Sequence, residues 1–590
     1  MSAKKVRRHI RRLQRERRRA QRRGIGRVPQ SDAGPTPDPG TTSDAGTTPD
    51  AGVRRGGGAR AGAVLAVVAV VAVAGGSIAR DATDAAPGTR PVDAKLFPTA
   101  AADTPFVCPP TPGRPDTLSS DGRVAYQQRD ASASSLFRGL VFAVDDAGSL
   151  PEVRWAQLSE DQRVNEESVV APSGAPAEAS SAPALADREA TVVTEDDPLR
   201  APLLDVGPGP GGAPIAASAL LEYSAADGPV SGLAAARCTV PQRDQFFLGP
   251  ETGSQATSLL TLANPADRDA TVEVVAHDAE GPRSGAGTRS VVVPAGTLRT
   301  VNIAGLAEDG AIAVSVESSG APVAAQLTSS AAAGSIGAGV EFLPGRTQAV
   351  EEHRMPGVRL PESGGAAGGG ALWIHVPGDD EATVEVQVFG EDGLEPLDGS
   401  SVFSVDGGAV RAIDLAGVPA GTHDVVVRTS VPTHAAVRTV SDVEAGGGAD
   451  GDAGGEDAAA SGLDFAWQVG AERLRSGSGT LLPAEGEPSV HLLAGDQATT
   501  VTYRLMDAEG DFGEPQEVEV RADGSAALDP EDLQLSDGDA AGEQAAAIVV
   551  EEPDAPVVGS LRIAGEEGQS MTGLEPLGEA HQAVRVRLRD

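Results

Sequence analysis

Three stretches of this chain repeat one phrase with fixed internal spacing. Ala270-Thr271-Val272, Ala382-Thr383-Val384 and Ala498-Thr499-Thr500-Val501 each precede, nine residues after the valine, a glycine: Gly281, Gly393 and Gly510. The glycine closes an acidic turn in every copy: Asp278-Ala279-Glu280-Gly281, Gly390-Glu391-Asp392-Gly393 and Asp507-Ala508-Glu509-Gly510. Alternation such as Val272 and Val274 against Thr271 and Glu273 predicts strands with one face in a core and one in water. The glycine supplies the positive φ that a tight strand-to-strand turn requires. Repetition on this scale dictates sibling modules, not an activity.

Around each phrase lie short β-branched segments punctuated by Gly, Pro and Asp, the pattern of an antiparallel sandwich. The first repeat reads as strands at 258–262, 270–276, 290–293, 298–303, 311–316 and 322–327. The second follows at an offset of 112, so that Ile303-Ala304-Gly305 falls on Leu415-Ala416-Gly417. The expected fold class is all-β, with tandem antiparallel Ig-like β-sandwich modules standing in a row. The expected division is a first β region at 104–244, modules at 245–350 and 351–444, a Gly/Ala/Asp linker at 445–461, and a last module at 462–590. Strands are expected at 139–144 and 217–223, with residues 165–190, rich in Ser, Ala, Pro and Glu, as a loop between them. The Gly-rich stretch 364–370 also reads as a loop, leading into a strand at 372–376. The strictly alternating Val584–Arg589 reads as a last strand with three arginines on one face.

Charge divides the chain. Residues 1–60 carry 16 Lys/Arg against 5 Asp/Glu, whereas the remaining 530 carry 31 against 80. The boundary is Ala61–Ala79, 19 residues without a charge between Arg60 and Arg80. At about 1.5 Å per residue this just crosses a bilayer core. The basic side is N-terminal, so residues 1–60 are expected to be a largely disordered cytoplasmic segment, 61–79 a transmembrane helix and 81–103 a stalk. The alternative is secretion after cleavage of a signal peptide at Ala72-Val73-Ala74. The acidic outer part repels nucleic acid. Cys108 and Cys238, the two cysteines, both lie in it, and an oxidising compartment makes one disulfide the expectation. Closing that loop stabilises by roughly 4–5 kcal/mol in the chain-entropy model.

Residues carrying recognisable chemistry are scarce. Aromatics make up 3% of the chain, leaving little material for a deep apolar site. No histidine pair has the spacing of a zinc motif, and no phosphate loop or dinucleotide fingerprint occurs. Gly568-Gln569-Ser570-Met571-Thr572 begins like a nucleophile elbow but lacks the final glycine, and it reads as a loop. Asp450-Gly451-Asp452 and Asp537-Gly538-Asp539 begin like calcium loops, but Ser461 and Ile548 stand where the twelfth-position Glu belongs. No catalytic, cofactor-binding or metal-ligating residue is assigned, and no cofactor is expected.

Arg237-Cys238, Phe246-Phe247-Leu248-Gly249, Leu260-Thr261-Leu262-Ala263-Asn264-Pro265 and Phe465-Ala466-Trp467-Gln468-Val469-Gly470-Ala471 resemble an uncharacterised family of actinobacterial secreted or membrane-anchored envelope proteins, domain of unknown function 5719. Cys108-Pro109-Pro110 is similar as well. The resemblance implies an envelope location and transfers no catalytic residue. The expectation is a membrane-anchored, non-catalytic scaffold or binding protein with an envelope protein or glycan partner. The alternatives are an envelope enzyme acting on glycan and a single-span sensor with a basic cytoplasmic segment.

Overall fold

The hydrophobic alternation of the repeated phrase becomes a strand in every copy: Ala270–Asp278, Ala382–Gly390 and Thr499–Met506. Val272, Val274, Val384, Val386 and Val501 are buried, while Thr271, Glu273, Thr383 and Glu385 are exposed. The closing glycines adopt φ of 111°, 115° and 101°, a region an L side chain rarely enters. In two copies the glycine also touches a neighbouring module. A Cβ on Gly510 would lie 2.0 Å from the carbonyl oxygen of Ala190, and Gly281 lies against Gly408.

The computed structural model describes residues 95–98, 102–113, 130–174, 184–442, 463–577 and 583–586, apart from short gaps at 308–309, 334–335, 362–369, 392, 398, 416, 537–540 and 552. The basic segment 1–60, the span 61–79, most of the stalk, the linker 445–461 and both candidate calcium loops lie outside the described residues. Among the described residues no helix is long and apolar enough to cross a membrane. The fold is all-β, built from multiple antiparallel sheets. Of the expected last strand, Ala583–Val586 is a strand, and residues 587–590 lie outside the described residues.

Among the described residues one eight-strand plan occurs four times. In residues 104–237 the strands are Thr104–Val107, Ser134–Phe142, Val153–Leu158, Arg163–Val170, Ala190–Asp196, Ala201–Val206, Ala217–Ala225 and Gly232–Arg237. Numbered in chain order they form two sheets, 1-6-3-4 and 5-2-7-8. Residues 244–343, 350–469 and 478–573 repeat that order. In the third module the sixth and seventh strands are one 22-residue strand, Gly421–Asp442. Its first half pairs with Val350–Leu360 and Ala382–Gly390, and its second half with Ala371–His375 and Leu463–Val469. Leu463–Val469 therefore completes the third module, although it follows the linker. The first module is a full copy without the phrase; its third strand, Val153–Leu158, pairs with Arg163–Val170 through register shifts at Val153/Arg154 and Trp155/Gln157.

Two segments expected to be loops are strands. Arg163–Val170 is an edge strand whose Asn165, Glu166, Glu167 and Ser168 are exposed, so no apolar alternation marks it. Gly568–Gly573 is the last strand of the fourth module.

The expected row is closed on itself. The last strands of the four modules are Gly232–Arg237, Ile336–Leu343, Leu463–Val469 and Gly568–Gly573, each at a sheet edge. The first touches the second, the second the third, the third the fourth, and the fourth the first. The apolar cores run across the same seams. Val340 and Phe342 join the core of the first module, Phe465 and Trp467 that of the second, and Leu140 and Phe142 that of the fourth. Val426, Leu493 and Val558 close the seam between third and fourth.

Asp464 stands where the four strands meet. It is fully buried. Its Oδ2 accepts the amide hydrogens of Leu233 at 3.3 Å and Gln569 at 2.8 Å, and its Oδ1 accepts that of Val340 at 3.2 Å. One carboxylate of the third module thus satisfies a backbone donor from each of the other three. Each donor follows a glycine with positive φ: Gly232 at 140°, Gly339 at 111° and Gly568 at 151°. Cβ atoms there would lie 2.8, 2.8 and 1.8 Å from the Asp464 oxygens.

Gly568→Ala should therefore destabilise the protein by about 3–5 kcal/mol, combining collision with positive-φ strain. Gly296→Ala, at a φ of 67° with open space around it, should cost about 1–2 kcal/mol. Asp464→Ala should cost at least about 3 kcal/mol, because three buried amides lose their acceptor. Equilibrium denaturant unfolding measures all three.

Candidate functional site

Past Asp464 the axis carries a second buried carboxylate. Glu341 is fully buried, and the Ser570 hydroxyl lies 3.0 Å from both of its oxygens. Ser570 Oγ also accepts the amide hydrogen of Ala235 at 2.9 Å. Burial pushes both Glu341 and Asp464 well above the usual carboxylate range, and the Asp464 charge raises Glu341 further. Hydrogen bonds oppose the shift at both: the amides of Gln569, Leu233, Phe465 and Val340 at Asp464, and those of Phe342 and Met571 with the Ser570 hydroxyl at Glu341. Ser570, flagged by its elbow-like sequence, is fully buried and engaged with Glu341.

The ends of the four strands and the residues that follow them line a cavity of about 790 Å³. Every module contributes to its wall. Arg237 comes from the first, Gln326 and Arg346 from the second and its exit, Trp467 and Gln468 from the third, and Glu575 from the fourth. Cys238, directly after the first hub strand, also lines it and forms the expected disulfide with Cys108. The bond ties the end of that hub strand to the module's first strand, Thr104–Val107.

The wall is about as polar as apolar and carries several arginines. Arg237 Nη1 lies 2.6 Å from Glu575 Oε2. Arg346 Nη1 lies 3.6 Å from Glu472 Oε1 and 3.8 Å from Glu575 Oε1, and its Nη2 donates to the Gly470 carbonyl. Arg473 and Arg475 complete four arginines, against Glu352, Glu472 and Glu575. Four aromatics, Phe106, Phe247, Phe342 and Trp467, also line the cavity. Trp467 packs edge-on against Trp373 with ring centroids 5.4 Å apart, and Gly249 is held to glycine by the Trp467 ring. Of the sequence features noted for their resemblance to a family, Arg237-Cys238, the segment at 246–249 and the segment at 465–471 all supply residues that line this cavity or pack against its wall.

Histidines distant in sequence meet at the seam behind the wall. Phe246 stacks on His375 at 4.3 Å and on His434 at 4.2 Å, and His277 lies 4.9 Å from His375. Sequence spacing gave no sign of this cluster, since the three come from different strands of two modules. Burial lowers His375 to about 2 and His434 to about 3, the latter with help from His353 and Arg346. Burial and Arg346 lower His353 to about 4. Among the described residues no group of three or more His, Cys, Asp or Glu is arranged to hold a metal.

These histidines are neutral when folded and protonate near pH 6.5 when unfolded, so the unfolded state binds more protons below that pH. Their contribution to stability is complete above about pH 6.5 and is lost as pH falls towards the folded values. At pH 5 each costs about 2 kcal/mol. Buried Glu341 and Asp464 act with the opposite sign, weakening the fold as pH rises above the ordinary carboxylate range. His375→Phe should flatten the acid limb, as measured by unfolding midpoints between pH 4 and 7.

The family model described as "Family of unknown function (DUF5719)" matches residues 192–531, more than half of the chain. The match begins inside the first module and ends inside the fourth, spanning the first three hub strands. No curated protein matches the chain. The chain belongs to the DUF5719 family of unknown function.

Proposed function

We propose that this chain is a membrane-anchored, extracytoplasmic binding protein of the cell envelope and not a catalyst. In this reading residues 61–79 form a single N-terminal transmembrane helix, residues 1–60 remain cytoplasmic, and four Ig-like sandwich modules face outward. The charge split at residue 60, the uncharged stretch 61–79 and the disulfide support it. The observation that carries the binding role is the cavity framed by all four modules. A scaffold of separate modules has no use for a shared chamber, whereas a convergent pocket of this size suits a small ligand. Its carboxylates at Glu472 and Glu575 are tied to Arg346 and Arg237, which fits recognition better than acid–base work.

Protease added to intact cells should cleave within residues 104–590 and spare 1–60; full protection of 104–590 would contradict the topology. Thermal unfolding of the purified full chain, screened against envelope-derived small molecules, should find compounds that raise the midpoint and are recovered unchanged. Recovery of a chemically altered compound would contradict the non-catalytic reading.

A further inference from the structure

The hub buries a hydroxyl against a side-chain amide. Thr439, in the third module's Gly421–Asp442, and Gln569, in the fourth module's Gly568–Gly573, are 0% and 1% exposed. Gln569 Nε2 donates to Thr439 Oγ1 at 3.1 Å. The sense of that amide is fixed, because Gln569 Oε1 accepts from Arg562 Nε at 3.4 Å and a guanidinium only donates. A lone pair of the threonine oxygen is therefore already directed at the amide, one bond from its carbonyl carbon. The buried glutamines Gln245, Gln326 and Gln468 instead donate to backbone carbonyls, which are no nucleophiles. The backbone beside the pair is clamped as well, since the Gln569 amide hydrogen goes to Asp464 Oδ2 at 2.8 Å. Thr439 is paired with Ala466 on the neighbouring strand, so Asp464, two residues along, stands on the same face of that sheet.

From this we infer that Thr439 and Gln569 join through an intramolecular ester that ties the third module to the fourth. Thr439 Oγ1 attacks Cδ of Gln569 and forms the new O–C bond, while the Nε–H of Arg562 stabilises the charge that develops on Oε1. The Cδ–Nε2 bond then breaks. The hydroxyl proton passes to Nε2, and the nitrogen leaves as ammonia. No oxidant, reductant or further reactant enters. Two groups held in one buried geometry react with the advantage of proximity. Exclusion of water suppresses the competing hydrolysis of the amide and protects the ester once formed. Asp464 is a positioning residue, holding the Gln569 backbone without touching the reacting atoms. The step occurs once per chain and is independent of the binding role proposed above.

The test is intact-mass measurement of the purified full chain, denatured after it has been kept folded until its mass is constant. The chain should be lighter than its sequence by one ammonia. Trypsin should then release residues 439–473 and 563–585 as one joined species. Mild alkali should separate them and leave a free carboxyl where Gln569 carried its amide. Thr439→Ser keeps a hydroxyl and should lose ammonia again, whereas Thr439→Val should keep the full mass and yield the two peptides apart. Full sequence mass in the parent chain, with the two peptides separate, overturns the inference. Loss of ammonia that persists in Thr439→Val also overturns it, because the source then lies elsewhere in the chain, and a joined species that resists alkali is not an ester.

Discussion

The four modules are joined at one carboxylate that receives backbone hydrogens from three of them. Each module ends in an edge strand whose amides need partners, and edges left open invite association with other chains. Here four such edges face one another. Three present an amide immediately after a glycine, and the fourth presents Asp464. A buried carboxylate is costly unless its oxygens are filled, and buried amides are costly unless accepted. Each side of the junction removes the other's penalty, and the exchange works only when all four strands arrive together. Ring closure is thus specified chemically, not merely permitted by the length of the chain.

Closure creates the cavity. The cavity is lined by residues within each of the four last strands and just after them. Arg237, Arg346, Gln468 and Glu575 all occupy such positions, within or just after the last strands. No single module owns the chamber, so its shape depends on the hub. The histidine–Phe246 cluster at the seam between the second and third modules and the Cys108–Cys238 bond within the first lie at two sides of that wall.

The sequence was legible where strands alternate and opaque where they meet. The repeated phrase, its turn glycine and most strands of the last three modules follow from period-two burial of valine and leucine. The hub strands were missed because their composition serves close approach and not propensity. Gly-Leu-Ala-Ala-Ala-Arg, Ile-Gly-Ala-Gly-Val-Glu-Phe-Leu and Gly-Gln-Ser-Met-Thr-Gly are poor in β-branched residues, and two contain buried polar groups. Glycine and alanine look like loop or linker material, yet at a crowded axis they are the residues that fit. Leu463–Val469 was assigned to the wrong side of a linker for a related reason: its partner, Gly421–Asp442, lies across that linker in sequence. The cavity left a fainter trace, the non-alternating Phe-Ala-Trp-Gln-Val-Gly-Ala segment, whose composition sandwich packing alone does not require.

The most direct measurement of the central claim is native-state hydrogen exchange, followed by mass spectrometry, in the parent chain and in Asp464→Asn. The account predicts that the amides of Leu233, Val340 and Gln569 are among the slowest to exchange and lose protection together in the variant, although they belong to three modules. Loss confined to the third module, with Leu233 and Gln569 unchanged, would contradict it.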